Sequence, residues 1–144
     1  MAFWDTSALL KLYLAEADSA QFESLALGSD DLVTSFIGKY EARTAFRRRE
    51  AEEVLLPGGA ELCYQRLLQD IQTGRVRVIE ESGELERPLG DILDRCLSQN
   101  PPVFVRTNDA LHLAAAKIAG ETEFVTADGR QAAAAKLIGM NVIP

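Results

Sequence analysis

Cysteine and histidine are scarce in this 144-residue chain, which has two cysteines, Cys63 and Cys96, and one histidine, His112. The thiols stand far apart in helical-looking segments, so no redox pair or zinc knuckle is present, and they read as core thiols in a reducing compartment. His112 reads as a packing residue. No long uninterrupted apolar run occurs, and the start, MAFWDTSALLKLYLAEAD, has neither a basic segment nor a small-residue cleavage site. Secretion and membrane spanning are therefore not expected, and a cytoplasmic protein is. No glycine-rich loop follows a strand, which disfavours a nucleotide-binding enzyme, since Gly58-Gly59 falls between helices. An excess of basic charge is also lacking: 15 Lys and Arg against 22 Asp and Glu give a net charge of -7. That balance argues against a nucleic-acid partner gripped by cations alone. It does not exclude one met through a metal, because clustered carboxylates concentrate acid in one place and let the ion face a phosphate.

A hydrophobic share of 47% with 26% charged residues is that of a folded globular protein, and the length suits one domain, residues 1–144. Short apolar or β-branched runs occur at AFWD from Ala2, DLVTS from Asp31, VRVIE from Val76, EFVTAD from Glu123 and MNVI from Met140. Helical patterns fill the intervals, which is the alternation of crossover units, so an α/β fold is expected with a mainly parallel sheet covered by helices on both faces. Pro57-Gly58-Gly59, Asn100-Pro101-Pro102 and Gly139 punctuate the helices. Val103 to Arg106 reads as a loop leading into the next helix.

In such a sheet, ligands gather outside the carboxyl ends of the strands, where helices begin. Asp5 closes the first strand, Asp128 follows the strand EFVTA, and Asp109 opens the helix ALHLAAAKIAG. Glu41 lies in line with Ile37 and Ala45 on an inward helix face. Each acid also has an ordinary explanation: Asp5, Asp109 and Asp128 suit helix capping, and Glu41 could pair with Arg43 or Arg48. Taken together, like charges at one rim repel unless they protonate, spread apart or bind a cation. Ligation by carboxylates without His or Cys suits Mg²⁺, with Mn²⁺ as a substitute. One ion or two would polarise a phosphodiester and activate water for in-line attack, leaving a 5′-phosphate and a 3′-hydroxyl. Ser7 and Thr126 are candidate hydroxyl donors that orient Asp5 and Asp128.

The run WDTSALLKLYL from Trp4, the inward Glu41, TNDALHLAAA from Thr107 and FVTAD ending at Asp128 together resemble the PIN-domain ribonucleases, especially the VapC-type toxins of toxin–antitoxin pairs. The resemblance spans nearly the whole chain, with the motifs in the family's order. It implies a three-layer α/β/α sandwich, Mg²⁺-dependent cleavage of RNA, a cognate antitoxin that inserts into the groove, and a homodimer. The family's acidic quartet maps onto Asp5, Glu41, Asp109 and Asp128. Lys39, Arg43 and the run Arg47-Arg48-Arg49 would then contact RNA phosphates or acidic antitoxin residues, or form a solvated helix face.

The alternatives are a phosphotransfer enzyme with an aspartyl nucleophile and a receiver-like Mg²⁺-binding module without nuclease activity. The first wants a second acid where Ser7 stands. The second wants paired acids after the first strand and an Asp after the third, where the sequence reads Ile79-Glu80.

Overall fold

Five short strands, β1 (Ala2–Trp4), β2 (Leu32–Ser35), β3 (Val76–Ile79), β4 (Glu123–Val125) and β5 (Asn141–Ile143), form one sheet in a computed structural model that describes residues 2–144. All four pairings are parallel, in the order β3-β2-β1-β4-β5. The helices are α1 (Thr6–Leu10), α2 (Ser19–Leu27), α3 (Phe36–Ala51), α4 (Gly59–Gln72), α5 (Glu86–Leu97), α6 (Thr107–Ile118) and α7 (Gly129–Leu137). The α/β class expected from the sequence is the one found. Residues 103–106 carry no strand, so the loop reading of that stretch agrees with the structure.

Strand side chains alternate between two faces, and each face has its own core. Ala2, Trp4, Leu32, Val76 and Val125 pack with Leu9, Phe22, Phe46 and Leu67, beneath α1 to α4. Phe3, Val33 and Phe124 pack with Ile92, Leu113, Ala114 and Ala135, beneath α5 to α7. The small side chains of α6 are what bring it close: Ala110 and Leu113 to Ala116 are fully buried. Gly38 plays a similar part in α3, since a Cβ there would overlap Thr34 Oγ1 and come 3.6 Å from His112 Cε1. At the far end of α7, Gly139 turns the chain into β5 with φ +87°, a left-handed conformation that favours glycine. Among the described residues, no helix is long and apolar enough to cross a membrane.

The chain steps outward from β1 to β2 to β3, then returns through α5 and α6 to lay β4 on the opposite side of β1. The strand order therefore reverses between β1 and β4, and a crevice opens at the carboxyl ends of such a pair. Asp5 leaves β1 at that point, its N–H donating to Val125 O at 3.1 Å, and residues 126–128 leave β4 beside it.

Candidate active site

Asp5 caps α1, yet the side chain does more than capping requires. Oδ1 accepts from Ala8 N at 3.0 Å and Ser7 Oγ at 2.7 Å, and Oδ2 accepts from Thr126 Oγ1 at 2.5 Å. Asp5 is 4% exposed, and among the described residues no Lys or Arg forms an ion pair with it. Burial pushes its carboxyl above the usual range, while hydrogen bonds from Thr126 and Ser7 and the nearby His112 act in the opposite direction. A buried carboxylate without a cationic partner takes up a proton or a cation.

Ser7 and Thr126 both act on Asp5. The sequence suggested one hydroxyl for each of two acids, and the geometry differs: Thr126 Oγ1 donates to Asp5 and accepts from the backbone N–H of Asp128 at 3.0 Å. Ser7 Oγ also accepts from Ala127 N at 2.8 Å, which ties α1 to the segment after β4. Asp128 is held instead by backbone amides, with Oδ1 accepting from Arg130 N at 2.8 Å and Gln131 N at 3.2 Å at the start of α7. Among the described residues no donor reaches its Oδ2.

Glu41 belongs to a second network. Its Oε1 accepts from Thr6 Oγ1 at 2.7 Å and lies 2.9 Å from His112 Nε2, and Asn108 Nδ2 reaches Oε2 at 3.5 Å. Neither Arg43 nor Arg48 pairs with it. Burial pushes the Glu41 carboxyl up, but the bonds from His112, Thr6 and Asn108 outweigh it and hold the group below the usual range. His112 is buried against Phe3, and its Nδ1 lies 2.9 Å from Ser35 Oγ, the cap of α3. Ser35 Oγ also accepts from Gly38 N at 3.3 Å, so the cap of α3 is tied to His112. The packing role expected of His112 is real, and the link to Glu41 is an addition that periodicity could not reveal.

Asp109 stands in the first turn of α6, its Oδ2 accepting from Arg106 Nε at 3.2 Å, and its carbonyl accepts from Gln131 Nε2 at 2.9 Å, which fastens α6 to α7. Asp109 and Glu41 line one hollow of about 220 Å³ with Arg106, Thr107 and Asn108. Asp5 and the backbone of Asp128 thus belong to one network and Glu41 to another, joined at the neighbours Asp5 and Thr6, while Asp109 meets Glu41 only across the hollow they share. Among the described residues, no three His, Cys, Asp or Glu side chains stand close enough to cage a single ion. Mg²⁺ does not require such a cage, because it takes one or two carboxylates and keeps several waters. The all-oxygen donor set, with Asp5 paired to no Lys or Arg among the described residues, fits a hard divalent cation, and Asp5 and Oδ2 of Asp128 are the donors nearest the strand ends.

Next to Glu41 a larger hollow of about 500 Å³ is lined by Thr6, Ile37, Tyr40, Thr44, Arg48 and Asn108. Of the cations singled out on this helix, Arg48 lines it and Lys39, Arg43 and Arg47 do not. The Arg43 guanidinium sits 4.6 Å over the Tyr64 ring, Lys39 sits 5.6 Å over Tyr40, and Arg47 is exposed. Arg48 faces the hollow, and the signal for it was seven-residue spacing from Glu41, two helical turns on one face.

The PIN domain family model matches residues 2–137. No curated protein sequence matches the chain. Solved structures of similar fold include VapC20 of Mycobacterium tuberculosis, described as a sarcin–ricin loop cleaving toxin, at 22% identity and TM-score 0.68 over 93% of this chain and 95% of that one. VapBC2 from Rickettsia felis, bound to a DNA fragment from their promoter, is 14% identical with TM-score 0.66, covering 99% and 96%. FitAcB from Neisseria gonorrhoeae is 15% identical with TM-score 0.70, covering 100% and 97%. At these identities the structural likeness speaks for the fold. Because the family model spans nearly the whole sequence, the chain belongs to the PIN domain family.

Proposed function

We propose that the protein is a Mg²⁺-dependent endoribonuclease that acts as the toxin of a toxin–antitoxin pair. The observation that carries this reading is Asp5: a carboxylate buried at the switch point of a parallel sheet, held by two hydroxyls and an amide, with no Lys or Arg among the described residues paired to it. Asp5 and Asp128 would hold the ion, with Glu41 and Asp109 facing the same rim. When bound, Mg²⁺ would supply Lewis-acid polarisation of a phosphodiester and lower the pKa of a water.

The chain's own residues then have separate duties. Ser7 and Thr126 keep both Asp5 oxygens in one orientation, so that the carboxylate meets a cation without rearranging. The amides of Arg130 and Gln131 aim Asp128 outward. Thr6 and His112 hold Glu41 ionised, and Asn108 closes that network from α6. Arg48 places a positive charge along the hollow beside Glu41, where an RNA backbone or an acidic antitoxin segment would lie.

Family membership supports the same reading, as does the fold shared with a protein described as a sarcin–ricin loop cleaving toxin. RNA as substrate, a cognate antitoxin as partner, a homodimer and a cytoplasmic setting belong to this proposal. The deciding experiment expresses the chain alone and with its neighbouring open reading frame, then maps cleaved cellular RNA. Growth arrest that the neighbour relieves and Asp5→Asn abolishes is expected. RNA left uncut by the wild type in millimolar Mg²⁺ would overturn the proposal.

A further inference from the structure

Phe104 is 82% exposed, although the residues on either side of it are not. Val103 and Val105 pack against the core beneath α5 to α7, and Val103 N donates to Cys96 O at 2.9 Å. Exposure alternates along the segment: the two valines are anchors, and Phe104 and Arg106 share the outward side. Phe104 is therefore presented between two anchored neighbours. It lines a shallow hollow with Arg106, Asp109, Arg130 and Gln131, which joins it directly to the acidic rim. Arg106 has a side chain 75% exposed, and Arg130 is exposed at the start of α7.

A single exposed apolar side chain is ordinary on any surface. An aromatic ring that shares a hollow with two arginines, in a chain of net charge -7 and at the edge of a rim that would receive phosphates, is a different arrangement. Single-stranded nucleic acid is held by this combination, with bases stacking on rings and cations meeting the backbone. We propose that Phe104 is a stacking platform for a nucleobase of single-stranded RNA flanking the scissile bond, with Arg106 and Arg130 taking the adjoining phosphates. Phe104 thereby positions substrate and touches no reacting atom. This role rests on the ribonuclease reading, and its test separates the two.

The test uses a single-stranded RNA with 2-aminopurine at successive positions, bound to the full-length chain carrying Asp128→Asn to prevent cleavage, together with steady-state cleavage by the active chain. One labelled position is expected to be quenched on binding. Phe104→Ala should remove that quench, weaken binding about tenfold and raise KM with kcat little changed. Phe104→Trp should restore both, and an abasic residue at the quenched position should erase the difference between wild type and Phe104→Ala. Equal KM and equal quench in Phe104→Ala, with RNA still cleaved, would overturn the stacking role and leave the ribonuclease reading standing. Loss of binding that Phe104→Trp fails to rescue would overturn it as well. A Phe104→Ala chain whose only change is its sedimentation as a smaller assembly would make Phe104 a contact between copies, which also overturns it. A wild type that neither binds nor cleaves RNA would remove both.

Discussion

Thr126 Oγ1 and Asp5 Oδ2 lie 2.5 Å apart, though 121 residues separate them in the chain. This bond sits between the ends of two adjacent parallel strands, and it makes the first acid of the rim dependent on the geometry of the last. Asp5→Asn should abolish Mg²⁺-dependent RNA cleavage and leave the metal-free fold as stable as the wild type or more so. The amide keeps an oxygen for Ala8 N and removes an unbalanced buried charge. Because burial raises the Asp5 carboxyl above its unfolded value, the ionised wild type is penalised at neutral pH, and the penalty fades as acid protonates the group. Thermal melts in a chelator should show the variant's advantage shrinking from pH 7 toward pH 4; an advantage that grows on acidification would contradict this account.

Glu41 should behave in the opposite sense. Its carboxyl is held below the usual range, so ionised Glu41 contributes stability above its unfolded value of 4.5, and that contribution disappears as pH falls through the lower folded value. Glu41→Gln is expected to lower the melting temperature at pH 7 and to match the wild type in strong acid. Parallel melting curves for Asp5→Asn and Glu41→Gln across pH would show that the two acids do not occupy distinct networks.

Mg²⁺ should raise the melting temperature of the wild type. At ten times its dissociation constant a ligand of the folded state adds about 1.4 kcal/mol, a few degrees for a chain of this size. Asp5→Asn should lose that increment, so that the order of stability between the two proteins reverses on adding the metal. Equal shifts in both would place the ion elsewhere.

Gly38→Ala tests the packing that brings Glu41 to the rim. The added carbon would overlap Thr34 Oγ1, which donates to Trp4 O at 2.8 Å, so α3 must lift from the sheet. A loss of about 1–3 kcal/mol in urea denaturation is expected, together with reduced cleavage. Unchanged stability would show that this approach is looser than the distances imply.

Arg48→Ala should weaken RNA binding across sequences and reduce the salt dependence of log K by about 0.7, the release of one counterion from a single strand. Arg47→Ala should change neither. Binding titrations at several salt concentrations distinguish the two arginines.

The sheet, the helices and the loop before α6 were legible because strand runs and turn residues are local signals. The places of the three Asp residues in the fold were legible for a similar reason: each follows a strand or opens a helix. What the sequence concealed were partnerships across distance. Thr6, Glu41 and His112 meet only because α1, α3 and α6 converge, and a lone histidine on an alanine-rich helix gives the same pattern whether it faces a carboxylate or a phenyl ring. The choice among Arg43, Arg47 and Arg48 depended on helix phase relative to neighbours: Tyr64 on α4 draws Arg43 away, and the hollow beside Glu41 receives Arg48.

The bridge from Ser7 Oγ to Ala127 N also couples the rim to the centre of the sheet. Ser7 lies just beyond β1 and Ala127 just beyond β4, so the contact exists only where those two strands are paired. Fraying of that one strand pair would take the rim apart while the outer strands β3 and β5 kept their other contacts.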